Sequence, residues 1–141
     1  MYLIDTNIWL ERLLEQQQAE TVSQFLSAIP SSQLAMSDFT FHSIALALTR
    51  RHKFVAIQDF IQDVFIEGDV GLLALPPTDI ALLLNTIQEQ RLDYDDAYQY
   101  VTAAQYSLVL VSFDTDFDHT ANGRKTPQEV LEEVQEAANN D

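Results

Sequence analysis

Aspartates punctuate this sequence where a folded chain would turn. Asp114 and Asp116 follow the short apolar run Leu108-Val109-Leu110-Val111, and Asp5 follows Tyr2-Leu3-Ile4. Asp96 opens a segment in which Ala97, Tyr100, Val101 and Ala104 recur at i, i+3, i+4 and i+7. Carboxylates about 4 Å apart repel by roughly 1 kcal/mol in bulk water and by about 4 kcal/mol at an effective dielectric near 20. Such a cluster holds protons or holds a divalent cation, since hard cations take oxygen ligands. The metal is the sharper of the two expectations.

The elements that must bring these acids together alternate along the chain. Short apolar runs predict strands at Tyr2–Ile4, Leu34–Met36, Val70–Leu75 and Leu108–Val111. Helical spacing predicts helices over 8–14 (capped by Thr6 or Asn7), 20–29, from Thr40 to the basic run, 54–67 with Gly68 as the stop, 78–90, and from Asp96 onward with Asp95 and Asp96 in the first turn. Thr126-Pro127-Gln128-Glu129 starts a last helix, with a capping Thr, Pro at the first position and Glu at the third. The segment 119–125 shows no strand by composition. Strands alternating with helices imply an α/β fold with a parallel sheet covered on both faces, in one domain over 1–141. If the first and last strands are adjacent and parallel, Asp5 and Asp114 meet at one rim, and Asp96 reaches it from its helix.

The 47% of hydrophobic residues marks a globular chain, and the absence of cysteine excludes disulfides and thiolate metal sites. No basic leader followed by an apolar stretch opens the sequence, and no apolar run approaches about 18 residues. A cytoplasmic protein without a membrane segment is the expectation. Seven Lys plus Arg against 22 Asp plus Glu leave a net charge of −15, which disfavours tight binding of nucleic acid through phosphates alone. The one basic run, Arg50-Arg51-His52-Lys53, reads first as a solvated helix end suited to the dipole, and second as an RNA contact through Arg50, Arg51 and Lys53.

The blocks LIDTNIWLE at 3–11, DDAYQYVTAA at 95–104 and LVLVSFDTDF at 108–117 resemble, in order and spacing, the three strongest blocks of PIN domains. The resemblance spans essentially the whole chain. It implies a three-layer α/β/α sandwich with a central parallel sheet of four to five strands. It also implies a Mg²⁺- or Mn²⁺-dependent endoribonuclease, of the kind found as VapC-like toxins of toxin–antitoxin pairs. Carried over residue by residue, it makes Asp5, Asp96 and Asp114 metal ligands and Asp116 a further acid for a second metal or a water. Ser112 takes the family's Thr/Ser position, with Thr6 and Asn7 supporting Asp5. The bland role for Asp5 is to cap the first helix. Asp93, Asp95 and Asp118 are expected to be solvated.

The chain departs from the family at one point. PIN domains usually carry a Glu about six residues beyond a Ser such as Ser37, and here that place holds Ser43. His42 beside it is read as a surface residue, and Asp38 as an acid that could reach in from the strand end. The departure, with the acidic balance, motivates a second possibility: an impaired PIN-fold module that dimerises or engages a partner. A homodimer and an antitoxin bearing an Arg segment for the acidic rim are the expected protein partners, and RNA the expected substrate.

Overall fold

The computed structural model describes residues 1–140. Four strands, β1 (Tyr2–Ile4), β2 (Leu34–Ser37), β3 (Gly71–Leu73) and β4 (Val109–Val111), form one sheet in the order β3-β2-β1-β4, with every neighbouring pair parallel. Their side chains divide by the period of two that a strand imposes. Ile4, Leu34, Met36 and Val111 enter one core with residues of the helices α1 (Thr6–Leu13), α2 (Ala19–Ala28), α3 (Asp38–Arg50), α4 (Phe54–Ile61) and α7 (Pro127–Asn139). Leu3, Ala35 and Leu110 enter the other, beneath α5 (Ile80–Gln90) and α6 (Tyr94–Gln105). The result is the α/β/α sandwich expected, with four strands. Beyond β4, Lys125 makes a single parallel bridge to Val111, so the segment read as strandless does touch the sheet edge. No helix among the described residues is long and apolar enough to cross a membrane.

Several boundaries differ for identifiable reasons. Asp5, not Thr6 or Asn7, caps α1, accepting from the Thr6 backbone N–H at 2.8 Å. Ser37 caps α3 by accepting from Thr40 N–H at 3.0 Å, so that helix starts two residues earlier than its apolar pattern suggests. The expected helix 54–67 is α-helical to Ile61 and then widens into a π-helical turn over Gln62–Ile66. Gly68 follows its end, at a place where a Cβ would stand 2.7 Å from the carbonyl oxygens of Asp63 and Val64. β3 stops at Leu73, whose register partner Ser37 is the last residue of β2, and the next backbone groups bond to Tyr106 and Tyr98. Tyr106 Oη donates to Ala74 O at 3.1 Å, and Leu75 N–H donates to Tyr98 Oη at 2.9 Å. The capping box at Thr126 and Glu129 forms as its sequence predicts.

Candidate active site

The chain runs from β1 outward to β2 and β3, then returns to lay β4 on the other side of β1. The reversal makes the β1–β4 junction the sheet's topological switch point, where a crevice opens beyond the carboxyl ends of the strands. Register places Ile4 beside Val111, and Asp5 N–H donates to Val111 O at 3.0 Å. Asp5 therefore emerges level with Ser112, and Asp114 lies two residues beyond.

Asp5 is buried, and all its hydrogen bonds are to neighbours on these elements. Oδ1 accepts from Thr6 N–H at 2.8 Å and from Gln99 Nε2 at 2.8 Å. Oδ2 accepts from Ser112 Oγ at 2.7 Å, with Asn7 Nδ2 at 3.5 Å. Burial pushes its carboxyl above the ordinary 3.8, against the opposing effect of the hydrogen bonds from Ser112, Gln99 and Thr6. Ser112 Oγ also accepts from Asn7 Nδ2 at 3.2 Å and from Asp114 N–H at 3.0 Å, while Asn7 Oδ1 accepts from Phe113 N–H at 3.2 Å. Thr6 and Asn7 thus hold Asp5 and the end of β4, and Ser112 joins Asp5 to the Asp114 backbone.

Asp96 projects from the first turn of α6, and Asp114 accepts from Asp116 N–H at 2.8 Å as it caps a short 3-10 turn over Thr115–Phe117. Asp96, Asp114 and Asp116 each bring a carboxylate oxygen within 4.8 Å of the others. Asp5 is not part of that triangle, but it lines the same cleft of about 250 Å³ with Asp95, Asp96, Asp114, Ser43 and Gln99. Burial, then the charges of Asp114, Asp95, Asp5 and Asp116, push the Asp96 carboxyl from 3.8 up to about 7. No Lys or Arg lines the cleft to relieve this. Clustered oxygen donors without a cationic partner are a donor set for Mg²⁺ or Mn²⁺.

Ser43, where the resemblance leads one to expect a Glu, does line the cleft. The acids and bases considered as substitutes for that Glu do not. Asp38 turns away, accepting from Tyr98 Oη at 2.7 Å and Phe39 N–H at 2.9 Å, which corrects the expectation that it could reach in. His42 is exposed and lines an adjacent hollow. Asp93, Asp95 and Asp118 are exposed, and Asp118 pairs with Arg124 at 2.9 Å. Arg50, Arg51 and Lys53 are exposed at the far end of α3, where Arg51 Nη1 donates to Ala47 O at 3.0 Å. Arg50 lies about two turns, or about 10 Å, beyond Ser43.

Sequence reasoning missed Gln99. It is buried on α6, three residues after Asp96. Besides Asp5, its Nε2 donates to Thr40 Oγ1 at 2.5 Å and its Oε1 accepts from Ser37 Oγ at 2.7 Å. The only available signal was a polar side chain inside an otherwise apolar block, a weak one.

Residues 2–123 match the family model of the PIN domain. The chain belongs to the PIN domain family. Among solved structures it is similar to a toxin–antitoxin complex from Klebsiella pneumoniae, at 25% identity and TM-score 0.72, covering 90% of this chain and 98% of that one. FitAcB from Neisseria gonorrhoeae aligns at 23% identity and TM-score 0.70, covering 91% and 99%. VapC20 of Mycobacterium tuberculosis, a sarcin–ricin loop cleaving toxin, aligns at 14% identity and TM-score 0.71, covering 86% and 96%. At these lower identities the two likenesses concern the fold. No curated protein sequence matches this PIN domain significantly.

Proposed function

We propose that this PIN domain is a divalent-metal-dependent endoribonuclease, the toxin of a toxin–antitoxin pair. The observation that carries the proposal is the convergence of Asp96, Asp114 and Asp116 within 4.8 Å beside buried Asp5 at the switch point of the sheet. Asp96 and Asp114 would hold the ion, with Asp116 as the exposed third acid and Asp5 facing the same cleft. When bound, the cation supplies activation of a water and neutralisation of charge developing on a phosphodiester. Ser112, Asn7, Thr6 and Gln99 fix the Asp5 carboxylate, so the acids do not reorganise when substrate arrives. The similarity to the Klebsiella toxin–antitoxin complex supports an antitoxin partner, and an Arg-bearing segment of it would suit the acidic cleft. The test is purified protein with single-stranded RNA and Mn²⁺. Cleavage is expected, and it should vanish in chelator and in Asp5→Asn or Asp114→Asn. Cleavage that survives both substitutions rejects the assignment.

The second reading, a binding module with an impaired site, is favoured by Ser43 standing where an acid is expected and by the saturated hydrogen bonding of Asp5. In that case Ile80, Leu82 and Leu84, exposed on α5, would serve a homodimer. Calorimetric titration separates the two: micromolar Mn²⁺ binding that depends on Asp114 goes against the module. Sedimentation showing only monomer at micromolar concentration goes against the dimer.

A further inference from the structure

Beside the acidic cleft lies a second hollow, of about 440 Å³, lined by Asp38, Phe39, His42, Leu46, Tyr94 and Tyr98. Phe39 and Ser43 line both, so the two are continuous. Three aromatic rings form its wall. Tyr98 is the middle one, with ring centroids 5.9 Å from Phe39 and 6.3 Å from Tyr94, at shallow interplanar angles of 36° and 38°. Tyr98 is buried and pinned, its hydroxyl donating to Asp38 and accepting from Leu75 N–H. Burial pushes its phenol up to about 12, so it remains a donor throughout the working range. Phe39 and Tyr94, in contrast, are 36% and 47% exposed. Large apolar rings left open beside a polar cleft mark a binding surface.

From this wall we infer that Phe39 and Tyr94 are a stacking platform for unpaired bases flanking the phosphodiester held at the acidic cleft. The substrate class is thereby single-stranded RNA, because paired bases cannot offer their faces. Affinity for RNA would have to come from the bases, because charge opposes it. A chain of net charge −15, with no Lys or Arg in the cleft, gains little from phosphate contacts. Base–aromatic stacking supplies affinity without positive charge, and tolerates any base since each has a π face. Tyr98, fixed by its own two hydrogen bonds, packs between the two rings. The inference rests on the ribonuclease proposal for the cleft and adds Phe39 and Tyr94 as the residues that contact the bases.

Binding of a short fluorescent single-stranded oligoribonucleotide, and of the same sequence in a duplex, would be measured with the acids intact and Ca²⁺, a hard oxygen-seeking cation, in place of Mn²⁺. Phe39→Ala and Tyr94→Ala should each weaken single-strand binding at least about fivefold without altering its salt slope. Tyr94→Phe should leave it intact, and Phe39→Leu, which keeps apolar bulk but no π face, should behave as Phe39→Ala. Leu84→Ala, an exposed apolar residue on α5, is the control. In otherwise wild-type protein the alanine variants should raise KM and spare kcat. Single-strand affinity unchanged by either alanine substitution, Phe39→Leu binding as wild type, duplex bound equally well, or alanine variants that lose only self-association would each overturn the platform. If RNA binding depends on the rings but no variant cleaves RNA, the nuclease proposal fails alone. If RNA is cleaved and the rings are neutral, the platform fails alone.

Discussion

Gln99 Nε2 lies 2.8 Å from Asp5 Oδ1, linking the helix that carries Asp96 to the strand end that carries Asp5. The amide N–H of Gln99 donates to Asp5, and its Oε1 accepts from Ser37 Oγ at 2.7 Å. One side chain thereby ties α6, β1 and β2 together beneath the cleft. Gln99→Leu fits the apolar surroundings but removes one donor to Asp5 and leaves Ser37 Oγ–H only the longer contact to Thr40 Oγ1 at 3.3 Å. A loss of roughly 1 to 3 kcal/mol of stability is expected, with a fall in cleavage rate beyond what the remaining folded fraction explains. Thermal denaturation and single-turnover cleavage, read together, check this. A variant as stable and as active as wild type would show the link to be idle.

The raised carboxyls imply a pH dependence of the metal-free protein. A group whose folded pKa exceeds its unfolded value favours folding while protonated, and that contribution is lost as pH climbs through the folded value. Asp96 moves from 3.8 to about 7 and Asp5 moves in the same direction. In chelator, the melting temperature should therefore decline between about pH 4 and pH 7, an inversion of the usual behaviour of paired acids. Asp96→Asn should flatten part of the decline, leaving the share that belongs to Asp5. Added Mn²⁺ should remove most of it. Melting curves at pH 5 and pH 8, with and without the ion, measure the effect, and a melting temperature rising over that interval in chelator contradicts it.

What was legible in the sequence was local. The strand ends at Asp5 and Asp114 announced themselves because an apolar run followed by an acid is the trace of a buried strand reaching a rim. Thr126 to Glu129 announced α7 because every capping group lies within four residues. The pairing of β1 with β4, expected only as a condition, follows from a register that no local pattern encodes. Gln99 was invisible for the same reason, its partners standing 94, 59 and 62 residues away. The shortening of β3 follows the end of its partner β2 at Ser37, a pairing that no local pattern encodes.

Ser43 offers a gain-of-function test. It lines the cleft from α3, where a longer acidic side chain would project toward Asp96 and Asp114. Affinity for hard cations grows with the number of charged ligands. Ser43→Glu should tighten Mn²⁺ binding by about tenfold and raise cleavage at limiting metal. It should also lower the melting temperature in chelator at pH 8, since it adds a carboxylate to an already crowded group. Calorimetry in parallel with melting reads both signs. Unchanged metal affinity would show that position 43 lies outside the reach of the ion.

The basic run bears on substrate length. Arg50 stands about 10 Å beyond Ser43 along α3, within range of a flanking phosphate but not of the scissile one. Replacing Arg50, Arg51 and Lys53 together by Ala should therefore leave kcat alone and raise KM for RNA long enough to reach them. A trinucleotide substrate should not register the change. Each phosphate contact on a single strand contributes about 0.7 to the slope of log affinity against log salt, so losing all three lowers that slope by up to about 2. Arg51 already donates to Ala47 O, so its share should be the smallest. A salt slope identical in wild type and triple variant would assign the run to the helix dipole alone, and binding would then rest on the cleft and the rings beside it.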